Sequence, residues 1–258
     1  MCANNAQAIQ VAGGSDKGLV RPQNEDSILY CQFEHSDVSL LVVADGVGGY
    51  SGGAEASQLA IQVMEQTISK AVLQANSGGG FGEHWLESNL HNAIAEANHK
   101  ILLKQKEVSD LSQMSSTVVA LLVNRDEAAL CHLGDSRCYE FTDNTLTQIM
   151  VDHTMLQDML SEGKIDQQTF ELLPMHHVIS QAMGLTEEPD IKIDLFKLKQ
   201  NARYLLCSDG LTDCVSDAQI EHVLTQCAEL DDCVDELITQ ANDNGGTDNI
   251  SVVIANYS

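Results

Sequence analysis

The sequence predicts an α+β protein with two antiparallel sheets covered by helices. Three observations lead there. Short apolar runs are separated by tight-turn residues, the mark of antiparallel pairing. Long segments with apolar residues at helical spacing come in two pairs, one early and one late in the chain. Strands and helices do not alternate one by one, so a parallel βαβ sheet is not expected.

Taken in order, residues 6–13 alternate weakly and suit an edge strand. Residues 27–33 and 39–44 are apolar runs joined by Glu34-His35-Ser36-Asp37, a β-hairpin. Residues 54–73 place Ala56, Leu59, Ala60, Val63, Met64, Ile68 and Ala71 on one helical face. Ser77-Gly78-Gly79-Gly80 breaks the chain, and residues 84–106 are helical again through Leu86, Leu90, Ala93, Ile94, Ala97 and Ile101. Both helices are read as ending in lysines, which suit the negative end of a helix dipole. Strands follow at 117–123, 128–133, 137–141 and 145–149, the last two joined by Asp143-Asn144. Residues 153–184 are irregular and partly helical. Strands at 191–196 and 203–207, helices at 217–227 and 231–242, and a strand at 250–255 complete the chain. Without a repeat or a long linker, residues 1–258 are read as one domain.

Composition narrows the function. Apolar residues make up 43% of the chain, enough for a large core. Asp and Glu number 38 against 13 Lys and Arg, a formal net charge of -25. Nucleic acid and anionic membrane surfaces need a basic footprint and are poor partners for such a chain. No run approaches the roughly 18 apolar residues of a membrane span, and the first residues lack a signal-peptide profile. The eight cysteines include no C-x-x-C pair and several sit in apolar runs, so they are expected to be reduced core thiols of a cytoplasmic protein.

The informative residues are acids at strand ends. A hairpin turning at 34–37 puts Asp26 opposite Asp45 and Glu25 opposite Gly46. Carboxylates meeting there repel one another unless a cation lies between them. Asp135 follows the run ending at Leu133, Asp209 follows the run ending at Cys207, and Asp248 precedes the last strand. Antiparallel neighbours can bring all of these to one edge. Oxygen donors without His or Cys select hard cations, Mg²⁺ or Mn²⁺, over zinc. Two such ions about 4 Å apart can hold a bridging hydroxide and polarise a phosphoryl group. A single Asp-Gly is more often an ordinary turn; the ordered set is what carries the argument.

These motifs, from Gly18-Leu19-Val20-Arg21-Pro22-Gln23-Asn24-Glu25-Asp26 to Gly246-Thr247-Asp248-Asn249, resemble the metal-dependent Ser/Thr protein phosphatases of type 2C, in their compact bacterial form. The resemblance implies a β-sandwich flanked by helix pairs and hydrolysis of phosphoserine and phosphothreonine by a metal-bridging hydroxide. It implies that Asp45 bridges two metals, that Asp209 and Asp248 complete the first, and that Glu25 and the Gly46 carbonyl complete the second. Asp26 would orient ligands or water. Asp135 and Asp209, with Asp213, would hold a third ion. Arg21 would grip the substrate phosphate, and residues 152–184 would form a flap beside the site. Phosphorylated proteins are the implied substrates and a Ser/Thr kinase the implied counterpart; a monomer is expected. The chain departs from the family at Val47 and Tyr50, where relatives carry a histidine, and at His176, His177 and Gln181, where the flap usually carries Arg-Asn and a further arginine. His176 and His177 are read as exposed loop residues, and Lys197, Lys199 and Arg203 as a solvated face.

Two other readings compete. Cys131 and Arg137 have the C-x₅-R spacing of cysteine-dependent phosphatases, but Asp135 inside that loop would repel phosphate and a strand follows it. A non-catalytic metal-binding or interaction module on the same fold would be expected to have lost carboxylates that this chain keeps.

Overall fold

The computed structural model describes residues 9–48, 52–173 and 177–257. Its strands are β1 (Ile9–Asp16), β2 (Asp26–Gln32), β3 (Val38–Val47), β4 (Ser115–Ser116), β5 (Val118–Asn124), β6 (Glu127–Leu133), β7 (Arg137–Thr142), β8 (Thr145–Gln148), β9 (Asp194–Lys197), β10 (Ala202–Cys207) and β11 (Ile250–Tyr257). Its helices are α1 (Gly52–Gln74), α2 (Trp85–Glu107), α3 (Met155–Ser161), α4 (Gln167–Leu172), α5 (Asp209–Thr212), α6 (Asp217–Gln226) and α7 (Leu230–Asp243). One sheet runs β1-β11-β10-β7-β8 and the other β2-β3-β5-β6-β9, with β4 beside β3; every pairing is antiparallel.

Alternation along the central strands makes the layers. In β3, Leu40 and Val42 face α1 and α2, while Leu41 and Val43 face the other sheet. In β11, Val252 and Ile254 face α6 and α7, while Val253 and Ala255 face back between the sheets. These strands are covered on both sides, which is why they read as continuous apolar runs. Three apolar layers result: helix on sheet, sheet on sheet, and sheet on helix. The predicted α+β class with two antiparallel sheets is correct.

Several elements differ from expectation. β1 is an edge strand but starts at Ile9, and residues 6–8 lie outside the described residues. α1 carries no basic residue in its last turn, because the helix continues past Lys70 to Gln74. The strand expected at 191–196 is confined to Asp194–Lys197, while Ile191 and Ile193 pack under α2's sheet as irregular chain. The turn α5 went unforeseen; four residues are too few for a periodic signal. Arg203 is no solvated charge: its Nη1 donates to the Leu224 and Cys227 carbonyls at 2.9 and 2.8 Å, closing the end of α6. Lys199 likewise bonds the buried Glu140 at 2.6 Å, whereas Lys197 pairs with Asp126 in the open. The seven described cysteines are all unpaired, and four of them are buried.

Candidate metal centre

The hairpin β2–β3 lays the floor. Its register sets Asp26 against Asp45, and the Gly46 N–H donates to the Glu25 carbonyl at 3.2 Å. Helix α1 begins just above. A Cβ at Gly46 would lie 2.0 Å from the Gly53 carbonyl oxygen, so only glycine lets helix and strand approach this closely. The Ser57 hydroxyl donates to the Glu25 carbonyl at 2.6 Å, fixing the residue before β2 from the helix side.

Other strand ends deliver the remaining acids. Asp135 sits in the tight link between β6 and β7, after Gly134 with φ of 116°. Its neighbour Ser136 shares a 2.7 Å hydrogen bond with the Thr117 hydroxyl, which accepts from the Asp45 N–H at 3.1 Å. Asp209 opens α5 where β10 ends. The Asp213 N–H donates to the Asp209 carbonyl at 2.8 Å, so these two carboxylates stand one helical turn apart. Asp248 precedes β11 and accepts from its neighbour Asn249's N–H at 2.8 Å. Asn249 staples the arm that carries Arg21 and Glu25: its amide donates to the Lys17 and Gln23 carbonyls, and its oxygen accepts from the Glu25 N–H at 2.8 Å.

Glu25, Asp45, Gly46, Asp135, Asp209, Asp213, Asp248 and Arg21 all line one cleft of about 530 Å³. Asp26 lies beneath it, buried, with one oxygen accepting from Ser208 at 2.8 Å and the other, Oδ1, without a partner. Asp209 Oδ1 is also buried and unpartnered. Crowding raises the carboxyl pKa values. Burial pushes Asp45 well above the ordinary range, and Asp26, Asp209, Asp248 and Asp135 push it further. Asp209 is raised in the same way by burial, then by Asp135 and Asp213. Burial raises both Asp26 and Asp135 to about 6. Among the described residues of the cleft the one guanidinium, Arg21, donates to Asp248 Oδ2 at 2.5 Å at the rim and reaches none of the deep acids by hydrogen bond. Unpartnered buried oxygens and mutually raised carboxyls, with oxygen donors throughout, fit hard divalent cations.

His177 also lines the cleft, and its Nδ1 lies 3.4 Å from Asp213 Oδ2, so it is more than an exposed loop residue. His176 and Tyr50 lie outside the described residues. Val47 lines the cleft and has no titratable group to donate a proton. Thr117 and Asn249 were not singled out from the sequence. Their signals were faint: a hydroxyl at the head of an apolar run, and an amide directly after an acid.

The C-x₅-R reading fails on geometry. Cys131 is buried on β6 in the core facing the helices, where burial pushes its thiol up to about 12. Arg137 forks onto Asp152, with Nη2 to Oδ2 at 2.7 Å and Nε to Oδ1 at 3.1 Å. Neither residue lines the cleft.

A sequence profile of the family described as "Protein phosphatase 2C" matches residues 21–251. The serine/threonine phosphatase Stp of Listeria welshimeri is 31% identical over 243 residues, covering 93% of this chain and 92% of the relative. The crystal structure of the Mycobacterium tuberculosis serine/threonine phosphatase PstP/Ppp superposes with a TM-score of 0.85 at 34% identity, covering 97% of this chain and 99% of that one. A crystal structure of the PstP catalytic domain in complex with two manganese ions superposes with a TM-score of 0.79 at 35% identity, covering 96% of this chain and 97% of that one.

Proposed function

We propose a division of labour among the clustered acids from the premise that this chain belongs to the protein phosphatase 2C family. It is a metal-dependent protein serine/threonine phosphatase, and its substrates are phosphoproteins. In our reading Asp45 would serve as a ligand to both of two core ions, Mg²⁺ or Mn²⁺. Asp209 and Asp248 would complete the ligands of one; Glu25 and the Gly46 carbonyl would complete those of the other. Asp26 orients them from below through its place opposite Asp45. Asp135, Asp209 and Asp213 would hold a third ion. The observation that supports this best is the convergence of acids from separate strand ends on one cleft.

When bound, divalent cations held by these residues would lower the pKa of a water and neutralise charge on the phosphoryl oxygens. The chain's own residues do the rest. Arg21, on the arm stapled by Asn249, stands at the rim, where its planar fork can take two phosphate oxygens. Water attacks phosphorus in line, and the serine or threonine oxygen leaves. Cys131 lies outside the cleft and supplies no nucleophile. With Val47 at the lip, the proton for the leaving oxygen comes from water in the cleft rather than from a side chain at that position.

Residues 1–258 act as one catalytic unit, with 152–184 as its flap. A cognate Ser/Thr kinase supplies the substrates, and the chain works as a monomer without nucleic-acid or membrane partners. Unpaired cysteines favour the cytoplasm, and no helix among the described residues is long and apolar enough to cross a membrane. The test is hydrolysis of a phosphothreonine peptide by the purified chain, with Mn²⁺ and with excess EDTA. Turnover should vanish in EDTA and in Asp45→Asn; full activity in EDTA would overturn the assignment.

A further inference from the structure

The flap delivers His177 to the acids by a fixed route. The Met155 N–H donates to the Val178 carbonyl at 2.8 Å, and the Ser180 N–H to the His153 carbonyl at 2.9 Å. Thr154 and Ile179 bridge between these bonds, so the backbone beside His177 is paired rather than hanging free. On the opposite wall, Asp209 and Asp213 share one turn of α5. One donor atom from each of His177, Asp209 and Asp213 lies within 4.8 Å of the others. A buried, unpartnered oxygen of Asp209 completes a set whose negative charge is unbalanced. Arg137, within electrostatic reach of Asp213, is already occupied by Asp152.

We propose that His177 is a direct ligand of the third cation, so that this ion ties the flap to α5 through one imidazole nitrogen and the carboxylates of Asp209 and Asp213. The inference rests on the third-ion reading above and deepens it. A nitrogen donor changes which ion the site prefers. Mg²⁺ favours oxygen ligands and gains little from imidazole, whereas Mn²⁺ and the later divalent metals accept it readily. The core pair, built from carboxylates and a carbonyl, has no such preference. The third site is therefore selective for Mn²⁺-like ions over Mg²⁺.

Mn²⁺ is both ligand and probe. Equilibrium binding to the full chain should give three Mn²⁺ per wild-type molecule. His177→Ala should weaken the last of these by about tenfold or more, the loss that removal of even an outer partner causes, and leave Mg²⁺ binding unchanged. Pulsed electron paramagnetic resonance of the three-manganese protein should detect a directly bound imidazole nitrogen that His177→Ala abolishes. Because His177 is exposed, the variant is expected to fold. Three bound Mn²⁺ without the nitrogen signal would overturn the His177 ligand and leave the third-ion reading standing. Binding of only two Mn²⁺ would overturn both.

Discussion

Asp26 and Asp45 stand directly opposite each other across β2 and β3, two carboxyls on adjacent strands, each desolvated by burial. Burial raises Asp26 to about 6 and holds Asp45 well above the ordinary carboxyl range, with the Asp26 charge adding to the rise. A carboxyl whose folded pKa exceeds its unfolded one binds more protons folded than unfolded between the two values. Stability of the metal-free protein therefore falls as pH rises from about 4 through about 6, and keeps falling until Asp45 too has lost its proton, by on the order of a few kcal/mol. Thermal melts in EDTA should give a higher Tm at pH 5 than at pH 7.5, and Asp26→Asn should flatten the difference. Mn²⁺ should raise Tm most at the higher pH, where the carboxylates are charged. A metal-free Tm that rises with pH would contradict this account.

Gly46 is predicted to tolerate no side chain. A Cβ there meets the Gly53 carbonyl at 2.0 Å and the Glu25 carbonyl at 2.6 Å, both backbone atoms that cannot swing aside. Gly46→Ala must part α1 from β3, at a cost of about 3 kcal/mol as for other overpacked sites. The same parting shifts Glu25 relative to Asp45. Turnover should therefore fall more steeply than stability, and raising Mn²⁺ should recover part of it. Wild-type melting and kinetics would show that the close approach is dispensable.

Cys131→Ser is expected to leave turnover largely intact. The thiol packs in the core between β6 and the helices and is held protonated by burial. Serine there loses packing and buries a hydroxyl, so a loss of about 1–3 kcal/mol in stability is the main effect. The contrasting change is Arg137→Ala, which leaves Asp152 half-buried without its fork and loosens the base of the 152–184 segment. It should destabilise by about 3 kcal/mol, in the range for breaking a buried ion pair. Abolished turnover in a well-folded Cys131→Ser protein would revive the thiol nucleophile.

The hairpin register was legible because a two-residue side-chain period and a four-residue turn leave little freedom: once 34–37 turn, Asp26 must meet Asp45. Asp135, Asp209 and Asp248 were legible as acids at the ends of apolar runs, since strands covered on both faces announce themselves by composition. What stayed hidden depends on neighbours distant in sequence. Thr117 matters through Asp45 and Ser136, and Asn249 through Lys17, Gln23 and Glu25, contacts that no local pattern encodes. Arg203 looked like a surface charge because the helix end it closes lies more than twenty residues away. His177 looked exposed, and it is, but the backbone pairing at Val178 and Ser180 turns that exposure toward Asp213.

Arg21 is expected to be the main fixed cation for substrate phosphate. It stands at the cleft rim, half exposed, with Nη2 on Asp248 and its other N–H groups without a hydrogen-bond partner among the described residues. The surroundings are strongly acidic, so a phosphate dianion has few other side-chain cations to meet there. A charge-assisted contact is worth about 1.5–3 kcal/mol, so Arg21→Ala should lower kcat/KM roughly ten- to a hundredfold. Lysine keeps the charge but not the planar fork, so Arg21→Lys should recover only part of the loss. Contacts made equally in ground and transition states would place the loss in KM; contacts that tighten on the expanded phosphoryl group would place it in kcat. Because Arg21 also touches Asp248, Mn²⁺ affinity must be measured in each variant. If it is unchanged, the kinetic loss belongs to phosphate. Kinetics on a phosphothreonine peptide at saturating Mn²⁺ decide the matter, and wild-type kcat/KM in both variants would remove Arg21 from phosphate binding.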